Sequence, residues 1–290
     1  MEYFEKLLEV QLMNVVIVGW LSNWDYPLKD SDFWRHLPEV VKVDFQRTLK
    51  LEEIKPNSWI LPLREEDIFA LSNTHSNHVS LFPSKDAIET CHNKARFRDF
   101  LLENGLSQFM PYPISIFSPH IDFPVIHKPV RGKASDGIRI SANRLDILVN
   151  DVIGRIKSRS LKKRFLIQQY IPGGNEYNLY CVCVAGELIW SVARYRKIKS
   201  QIFRPEIDHE NDQELELTKD CMEVFRKIFK LLDFSGPACV DFTLIDGLPV
   251  IFEVNPRFGG GLFTSANMRD SLIDCLRVIL ANSTFAGKGR

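Results

Sequence analysis

The hydrophobic positions of the N-terminal third predict alternating helices and buried strands. Residues 3–12 place apolar side chains at helical spacing, and residues 14–20 form the continuous apolar run that is typical of a strand buried on both faces. Residues 40–45 and 58–63 predict two further strands, the second followed by a short helical stretch. This pattern predicts a small α/β domain over residues 1–90.

The rest of the chain, residues 91–290, is predicted to combine amphipathic helices with strands joined by short turns, and we treat it as a second domain. The predicted helices cover residues 91–106, 144–164, 217–232 and 264–280. The predicted strands cover residues 125–129, 138–140, 165–171, 177–184 and 188–194, and the stretch 236–261 predicts two more strands joined by a turn at Asp246-Gly247. The polar stretch 198–212 is interpreted as a mobile loop that covers a binding site.

The last strand pair carries three oxygen-bearing side chains. Asp246-Gly247 between apolar runs predicts a tight hairpin turn, and alternation places Glu253 and Asn255 on one face. A two-residue loop would put Asp241 opposite Phe252. A three-residue loop, with Gly247 left-handed and forming a bulge, would put Asp241 opposite Glu253.

In the second register two carboxylates and an amide oxygen converge. Such hard oxygen ligands form Mg²⁺ sites that leave positions for water and phosphate. Arg257 and the run Gly259–Gly261 follow at once, and adjacent glycines before a helix expose backbone N–H groups to an anion. A plain hairpin with charges facing water is the alternative, but it does not explain this grouping. We therefore favour a phosphate-handling site.

The sequence GPACVDF…DG…FEVNPRFGGG resembles the C-terminal signature of the ATP-grasp superfamily, closest to carbamoyl-phosphate-synthase-like carboxylate–amine ligases. The matching upstream pieces follow in the expected order from residue 94 onward. The resemblance implies an α/β N-terminal domain plus an α+β ATP-grasp fold, in which two subdomains with antiparallel sheets sandwich ATP. It further implies Asp241, Glu253 and Asn255 as ligands of one or two Mg²⁺ (or Mn²⁺) ions.

Two upstream pieces resemble the phosphate-binding parts of this superfamily. Lys94 opens a predicted helix, where a cation is slightly disfavoured, and the resemblance assigns it to ATP phosphates; a solvated surface lysine is the alternative. The turn after Lys128 resembles the K-P-x-x-G-x-x-S-x-G phosphate loop, and it implies phosphate contacts from Lys128, Gly132, Ser135 and Gly137. A plain β-hairpin is the alternative for this turn.

The strand over residues 165–171 and the turn after it resemble the adenosine-binding part. The resemblance implies adenine contacts that are partly made by the backbone, and a glutamate that binds the ribose hydroxyls. These residues are Gln168, Gln169, Tyr170, Ile171 and, on ribose, Glu176. Many relatives carry Glu where Gln168 stands, so the resemblance supports its backbone contacts more than its side-chain contact.

The resemblance also implies cations that act on the transferred phosphoryl group. Arg257 is expected to stabilise that group or the tetrahedral intermediate, and Arg196 and Lys197 are expected to approach the triphosphate or the acyl phosphate. Exposed charges at a strand end are the alternative for Arg196 and Lys197. Cys239 departs from the pattern, because many relatives have Arg two residues before the metal Asp. Glu65 and Glu66 are interpreted as the start of a helix, which its dipole favours. The alternative is that one of them lies near the substrate, as the resemblance of ILPLREED to the pre-ATP-grasp domain of these ligases implies.

Composition argues against several classes of protein. The chain has 290 residues, 45% apolar and 26% charged residues and a formal net charge of zero, as in soluble globular proteins. A net charge of zero gives no overall electrostatic attraction to nucleic acid or to an anionic membrane. The acidic N-terminus does not resemble a signal peptide. The six scattered cysteines predict free thiols in a reducing compartment, so we expect a cytoplasmic protein.

We therefore predict an ATP-dependent ligase that activates a carboxylate as an acyl phosphate and couples it to an amine, releasing ADP and phosphate. Its partners would be small molecules, for which an amino acid is plausible; neither nucleic acid nor membrane is expected, and a homo-oligomer is compatible with the sequence. The rival among enzymes is another acyl-phosphate user of this superfamily, with a thiol or bicarbonate as substrate. The rival from another class is a non-catalytic Mg-ATP-binding sensor or assembly subunit.

Overall fold

A computed structural model gives the fold. The residues that it describes are 13–19, 25–37, 40–74, 79–131, 137–157, 165–172, 175–197, 213–264, 266–282 and 284–285. The helix predicted over residues 3–12 and the loop predicted over 198–212 lie outside these ranges.

The elements follow one another in a mixed order of helices and strands. The strands are β1 (Met13–Val18), β2 (Val40–Gln46), β3 (Trp59–Pro62), β4 (Val79–Ser80), β5 (Val125–Pro129), β6 (Arg139–Ser141), β7 (Phe165–Gln169), β8 (Asn175–Val184), β9 (Glu187–Lys197), β10 (Gln213–Leu215), β11 (Gly236–Ile245), β12 (Leu248–Asn255) and β13 (Thr284–Phe285). The helices are α1 (Asp25–Lys29), α2 (Ser31–Trp34), α3 (Glu65–Ser72), α4 (Lys85–His92), α5 (Lys94–Glu103), α6 (Arg144–Lys157), α7 (Lys219–Leu231), α8 (Gly260–Thr264) and α9 (Arg269–Asn282).

The N-terminal strands form a largely parallel sheet. Its described strands lie in the order β13-β4-β3-β1-β2, and β1 runs parallel to both β2 and β3. This agrees with the continuous apolar runs that predicted strands buried on both faces. The edge strand β13 comes from the far end of the chain and pairs antiparallel with β4. The predicted domain boundary near residue 90 stays a prediction, since a C-terminal strand completes the N-terminal sheet.

Two antiparallel sheets make up the rest of the fold. One has the described order β10-β9-β8-β11-β12, and the other has the order β6-β5-β7. This confirms the α+β class and the two predicted antiparallel sheets. The hairpin β11–β12 lies at one edge of the larger sheet, where β8 pairs with β11 on its other side.

The single helix predicted over residues 91–106 is wrong, because two helices meet there. Asn93 has an extended backbone with ψ 101°, which ends α4, and its side chain accepts hydrogen bonds from the backbone N–H groups of Ala95 and Arg96. It therefore caps α5, whose first residue is Lys94. The predicted C-terminal end is confirmed, with Asn104 as the C-cap and Gly105 at φ 67°.

The other predicted helices differ mainly at their ends. The last one begins at Arg269 rather than residue 264, because the short helix α8 and a 3₁₀ turn precede it. The helices α6 and α9 each have 14 residues, whereas a membrane-spanning helix needs about 20. Within the described ranges, no helix combines the length and the apolar character that crossing a membrane requires.

The two faces of the larger antiparallel sheet have different neighbours. Leu179 and Cys181 of β8 pack into a core with α7, whereas Tyr180 and Val182 pack into a core with α9 and β1. The second face carries Asn178 at its other end, because side chains alternate along a strand. One side of β8 therefore changes from apolar to polar along its length, and the polar end is where the candidate site lies.

Candidate functional site

The hairpin turn has two residues. Ile245 pairs with Leu248, and the residues between them, Asp246 and Gly247, have left-handed backbones with φ 51° and 79°. Positive φ at both central residues is the pattern of the tight turns that suit twisted hairpins. The expectation that a three-residue loop with a Gly247 bulge would set the register is therefore wrong.

The register is nevertheless the one that brings the two carboxylates together. Asp241 pairs with Glu253, while its neighbour Phe242 pairs with Ile251. Phe252 is therefore an extra residue within β12, a bulge that shifts the ladder by one position. Because side chains alternate on a strand, this shift turns Asp241, Glu253 and Asn255 toward one face.

The same row of the sheet continues across four strands. Arg194 of β9 lies opposite Asn178 of β8, Asn178 lies opposite Asp241, and Asp241 lies opposite Glu253. The Asn178 amide donates a hydrogen bond from Nδ2 to Asp241 Oδ1 at 2.6 Å. Sequence analysis did not select Asn178. The signal was its position two residues after Glu176, as a polar side chain at the start of an otherwise apolar strand.

Asn255 faces both carboxylates. Its Nδ2 lies 3.2 Å from Asp241 Oδ2 and 3.4 Å from Glu253 Oε1, and its Oδ1 accepts from Arg257 Nη2 at 3.2 Å. The three predicted metal ligands are thus within hydrogen-bond distance of one another. Among the described residues no group of three or more His, Cys, Asp and Glu side chains could hold a metal, so the donor set here is two carboxylates and one amide.

Lys94 forms an ion pair with this group. Its Nζ lies 2.6 Å from Glu253 Oε2, and both side chains are mostly buried. Burial opposes ionisation of Glu253, but the charge and hydrogen bond of Lys94, together with contributions from Asp241 and Lys128, lower the pKa of the carboxyl to about 2. The lysine selected because it breaks the rule for a helix N-terminus therefore contacts a predicted metal ligand.

Lys128 of β5 approaches the same hairpin from the smaller sheet. Its Nζ lies 4.7 Å from the centre of the Phe252 ring, and only 7% of the residue is exposed. Burial lowers the pKa of Lys128, while the charges of Glu253, Glu176 and Asp241 act in the opposite direction. Lys128 is therefore a buried amine whose protonated form is favoured by the carboxylates of the candidate site.

Asp241 responds to its surroundings in the opposite way from Glu253. Burial, and after it the charges of Glu253 and Glu176, raise the pKa of Asp241 well above its ordinary value. Carboxylates held this close repel each other, and a divalent cation between them would remove that repulsion. The donor set and its electrostatics therefore fit a Mg²⁺ or Mn²⁺ ion, which prefers oxygen ligands.

Arg257 is held by the protein on all sides of its guanidinium group. Nε donates to Glu65 Oε1 at 3.2 Å, and Nη1 donates to the carbonyl oxygen of Phe258 at 2.7 Å. Glu65 begins α3 as predicted, and its second oxygen contacts His92 Nδ1. The helix-terminus interpretation was correct for the backbone but missed this contact with a predicted catalytic residue.

The glycines after Arg257 allow a close approach of chain segments. A Cβ on Gly259 would lie 2.4 Å from Tyr180 Cε1 and 2.6 Å from Cys239 Sγ, and a Cβ on Gly261 would lie 2.3 Å from the Tyr180 hydroxyl. Packing thus requires glycine at two of these three positions. That their backbone N–H groups bind an anion stays a prediction. Arg194, which is buried, donates to the carbonyl oxygen of Gly261 at 3.0 Å.

The predicted adenosine-binding residues lie on and just after β7, except Glu176, which lies on β8. Gln168 is buried, and its Nε2 donates to the carbonyl oxygen of Pro111 at 3.4 Å. Its Oε1 has no hydrogen-bond donor among the described residues, which leaves a buried acceptor at a predicted adenine position. Gln169 is exposed, and its backbone N–H donates to the carbonyl oxygen of Tyr112 at 2.8 Å.

The remaining predicted residues are described in part. Tyr170 and Ile171 are partly buried, and Gly137 has φ 77°, a backbone that suits glycine. Gly132 and Ser135 lie outside the described residues. Arg196 and Lys197 belong to β9, where Arg196 pairs with Glu176, but their side chains lie outside the described part of the structure.

Comparisons with known proteins support the fold. Residues 162–281 match the family model described as "ATP-grasp in the biosynthetic pathway with Ter operon". D-alanine–D-alanine ligase from Bacillus anthracis, complexed with ATP, superposes with a TM-score of 0.61 at 16% identity, covering 93% of this chain and 96% of the ligase. L-amino acid ligase from Bacillus licheniformis gives a TM-score of 0.59 at 16% identity, covering 97% of this chain and 78% of that enzyme.

A curated relative is more similar in sequence over a shorter range. An uncharacterized protein of Sinorhizobium fredii is 23% identical over 194 residues, which is 61% of this chain. The match spans 38% of that protein's length, so the chain corresponds to well under half of it.

Proposed function

We propose that this chain, which has an ATP-grasp fold and matches an ATP-grasp family model over residues 162–281, is an ATP-dependent ligase that joins a carboxylate to an amine. The observation that carries the proposal is the meeting of Asp241 and Glu253 with Lys94. Cations and carboxylates that share one partly buried face, next to Arg257, suit the binding of a nucleoside triphosphate and its metal ion.

The reaction would proceed in two steps with ADP and phosphate as products. A carboxylate oxygen of the substrate attacks the γ-phosphorus, the bond to the β-γ bridging oxygen breaks, and ADP leaves with that electron pair. The amine nitrogen then attacks the acyl carbon and expels phosphate, with loss of a proton from nitrogen. The chemistry requires positioning and charge neutralisation rather than a covalent nucleophile.

The side chains take distinct roles in this proposal. Asp241, Glu253 and Asn255 would hold Mg²⁺, which would supply charge neutralisation on the phosphate oxygens. Lys94 and Lys128 would bind phosphate oxygens, since both face the hairpin's carboxylates. Arg257 would stabilise the transferred group, and its contacts with Glu65 and the carbonyl oxygen of Phe258 hold the guanidinium in place. Arg196 and Lys197 stay proposed contributors from the end of β9.

The nucleotide would lie between the two antiparallel sheets. Gln168, Gln169, Tyr170 and Ile171 would border adenine, and the buried acceptor of Gln168 supports a polar contact there. Glu176 would bind ribose hydroxyls, and the proposed phosphate loop would supply Gly132, Ser135 and Gly137.

An amino acid is the substrate class that we propose for at least one partner. Two structurally similar proteins are named as ligases of D-alanine and of L-amino acids. A cytoplasmic location is part of the same proposal, and the six free buried cysteines support it because thiols persist in reducing compartments.

A non-catalytic Mg-ATP-binding protein is the second candidate, and Cys239 is the observation that favours it. This thiol stands two residues before Asp241, at the position where the resemblance to the ATP-grasp superfamily implies an arginine. Its Sγ lies 3.6 Å from Asp241 Oδ1, so the position borders the site yet supplies no positive charge.

The two candidates differ in turnover. The test is release of ADP and phosphate from Mg-ATP with a panel of amino acids, singly and in pairs, with Glu253→Gln as the inactive control. Turnover that requires two partners and disappears in the control supports the ligase. Binding of Mg-ATP without turnover across carboxylates and amines favours the sensor or assembly subunit, and no binding of Mg-ATP contradicts both.

A further inference from the structure

We propose that Asn178 is a positioning residue of the cation site, which holds the Asp241 carboxylate in the orientation that a Mg²⁺–nucleotide complex requires. The inference rests on the proposed function, because it takes Asp241 as a metal ligand. It concerns a residue that the sequence pattern did not select and that lies on β8, whereas the proposed metal ligands lie on β11 and β12.

The contact between the two residues is short and built into the sheet. Asn178 lies directly opposite Asp241 in the β8–β11 ladder, and its Nδ2 donates to Asp241 Oδ1 at 2.6 Å. Side chains that lie directly opposite each other on paired strands are close enough to interact, and both residues are partly buried. The amide therefore restrains the rotation of the carboxylate.

The two oxygens of Asp241 have different partners. Oδ1 faces the Asn178 amide and the Cys239 thiol, at 2.6 Å and 3.6 Å. Oδ2 faces the Asn255 amide at 3.2 Å. The same Asn255 nitrogen lies 3.4 Å from Glu253 Oε1, so Oδ2 is the oxygen on the side of the second carboxylate.

Asn178 and Asn255 therefore play different parts. An amide nitrogen cannot bind a cation, so Asn255 has to turn its oxygen toward the carboxylates to act as a ligand, and this withdraws its N–H groups from Oδ2 and Glu253. The Asn178 bond is on the other oxygen and persists through that change. It is the contact that can hold Asp241 in place both with and without a cation.

A side chain that orients a metal ligand by donating to it differs from one that binds the metal. Replacing Asn178 by Asp keeps the shape, removes the donor and adds a negative charge next to Asp241. If Asn178 acts as a donor, this change misorients and repels Asp241 and weakens cation binding. If Asn178 is itself a ligand through its oxygen, the added carboxylate strengthens cation binding.

The experiment measures Mn²⁺ binding by electron paramagnetic resonance, with the full chain and a non-hydrolysable ATP analogue. Asn178→Asp and Asn178→Ala are expected to raise the apparent Kd for Mn²⁺ by about tenfold or more, as is common when a group that orients a metal ligand is removed. The matched control is Asn175→Ala, an exposed asparagine on the same strand, which should bind as the wild type does. Thermal unfolding checks that each variant is folded.

The outcomes separate this inference from the proposed function. Unchanged or tighter Mn²⁺ binding by Asn178→Asp, with a wild type that binds, overturns the role of Asn178 and leaves the proposed function standing. A wild type that binds no Mn²⁺–nucleotide overturns both. Should Asn178→Ala fail to fold, the isosteric Asn178→Asp decides the question alone.

Discussion

Glu65 accepts a hydrogen bond from Arg257 at 3.2 Å, although 192 residues separate them in the sequence. Glu65 begins α3, and Arg257 lies just after the hairpin β11–β12. His92 contacts the second oxygen of Glu65, so the carboxylate lies between two basic groups. The arginine proposed to act on the transferred phosphoryl group is therefore held by the N-terminal part of the chain.

Removing the Glu65 carboxylate should destabilise the fold as well as the site. Glu65→Ala is expected to lower the free energy of unfolding by about 2 kcal/mol, because Arg257 loses a charge-assisted hydrogen bond in a mostly buried position. Urea denaturation measures this loss. The matched control is Glu66→Ala, an exposed glutamate one residue further along α3. Equal losses in the two variants would show that the Glu65 contact contributes nothing specific.

Lys94 should control the acid stability of the metal-free protein through Glu253. The pKa of Glu253 falls from 4.5 to about 2 in the fold, because Lys94, with smaller contributions from Asp241 and Lys128, opposes the effect of burial. A depressed carboxyl pKa stabilises the fold fully above the unfolded value, and this contribution disappears as pH falls toward the folded value. The stability advantage of wild type over Lys94→Met should therefore shrink between neutral pH and about pH 3.

The measurement is urea denaturation at several pH values in the presence of a chelator. Asp241 has a raised pKa and acts with the opposite sign, but it is present in both proteins. The control is Lys219→Met, because Lys219 is also the first residue of a helix and is exposed. An advantage over Lys94→Met that stays constant with pH would contradict the assigned ion pair.

Gly259 should tolerate no side chain without a loss of stability. Its Cβ would lie 2.4 Å from Tyr180 Cε1, closer than any normal contact, and Tyr180 is buried. Gly259→Ala is expected to cost about 1–3 kcal/mol through overpacking. Thermal unfolding of Gly259→Ala, Tyr180→Leu and the double variant checks the cause. The double variant should lose less than the sum of the two, and simple additivity would rule out the clash.

The thiols should react slowly in the folded protein. All six cysteines are free and buried. Burial raises the pKa of Cys91, Cys181, Cys239 and Cys275, and it raises that of Cys221 to about 11, so few thiolates exist near neutral pH. Ellman's reagent should titrate six thiols in denaturant and react far more slowly without it. Rapid modification of a native thiol would contradict this packing.

The sequence could predict the ligand set more readily than the register that assembles it. It narrowed Asp241 to two possible partners, Phe252 and Glu253, and it linked the choice to the length of the turn. The structure combines the two-residue turn of one option with the pairing of the other, because the bulge at Phe252 lies inside the strand. A bulge inside a strand is not marked by a glycine or another turn-forming residue here, so local sequence signals could not locate it.

Contacts between distant segments were the other part that sequence reasoning missed. Lys94 was selected because it breaks a local rule for helix ends, and such exceptions can be read directly from the sequence. Glu65 obeys the local rule for a helix start, and the only sequence signal of Asn178 is a polar side chain near the start of a strand. Their importance depends on β8 lying beside β11 and on α3 reaching the end of the hairpin, which no spacing along the chain encodes.

Equilibrium binding of Mg-ATP tests the central claim most directly. Titration calorimetry would compare wild type with Asp241→Asn and Asp246→Asn, the same chemical change at two positions of one hairpin. Asp246 is exposed in the turn, and its left-handed backbone suits asparagine. The account predicts that wild type and Asp246→Asn bind alike and that Asp241→Asn binds at least about tenfold more weakly. No binding by the wild type, or equal binding by Asp241→Asn, would contradict it.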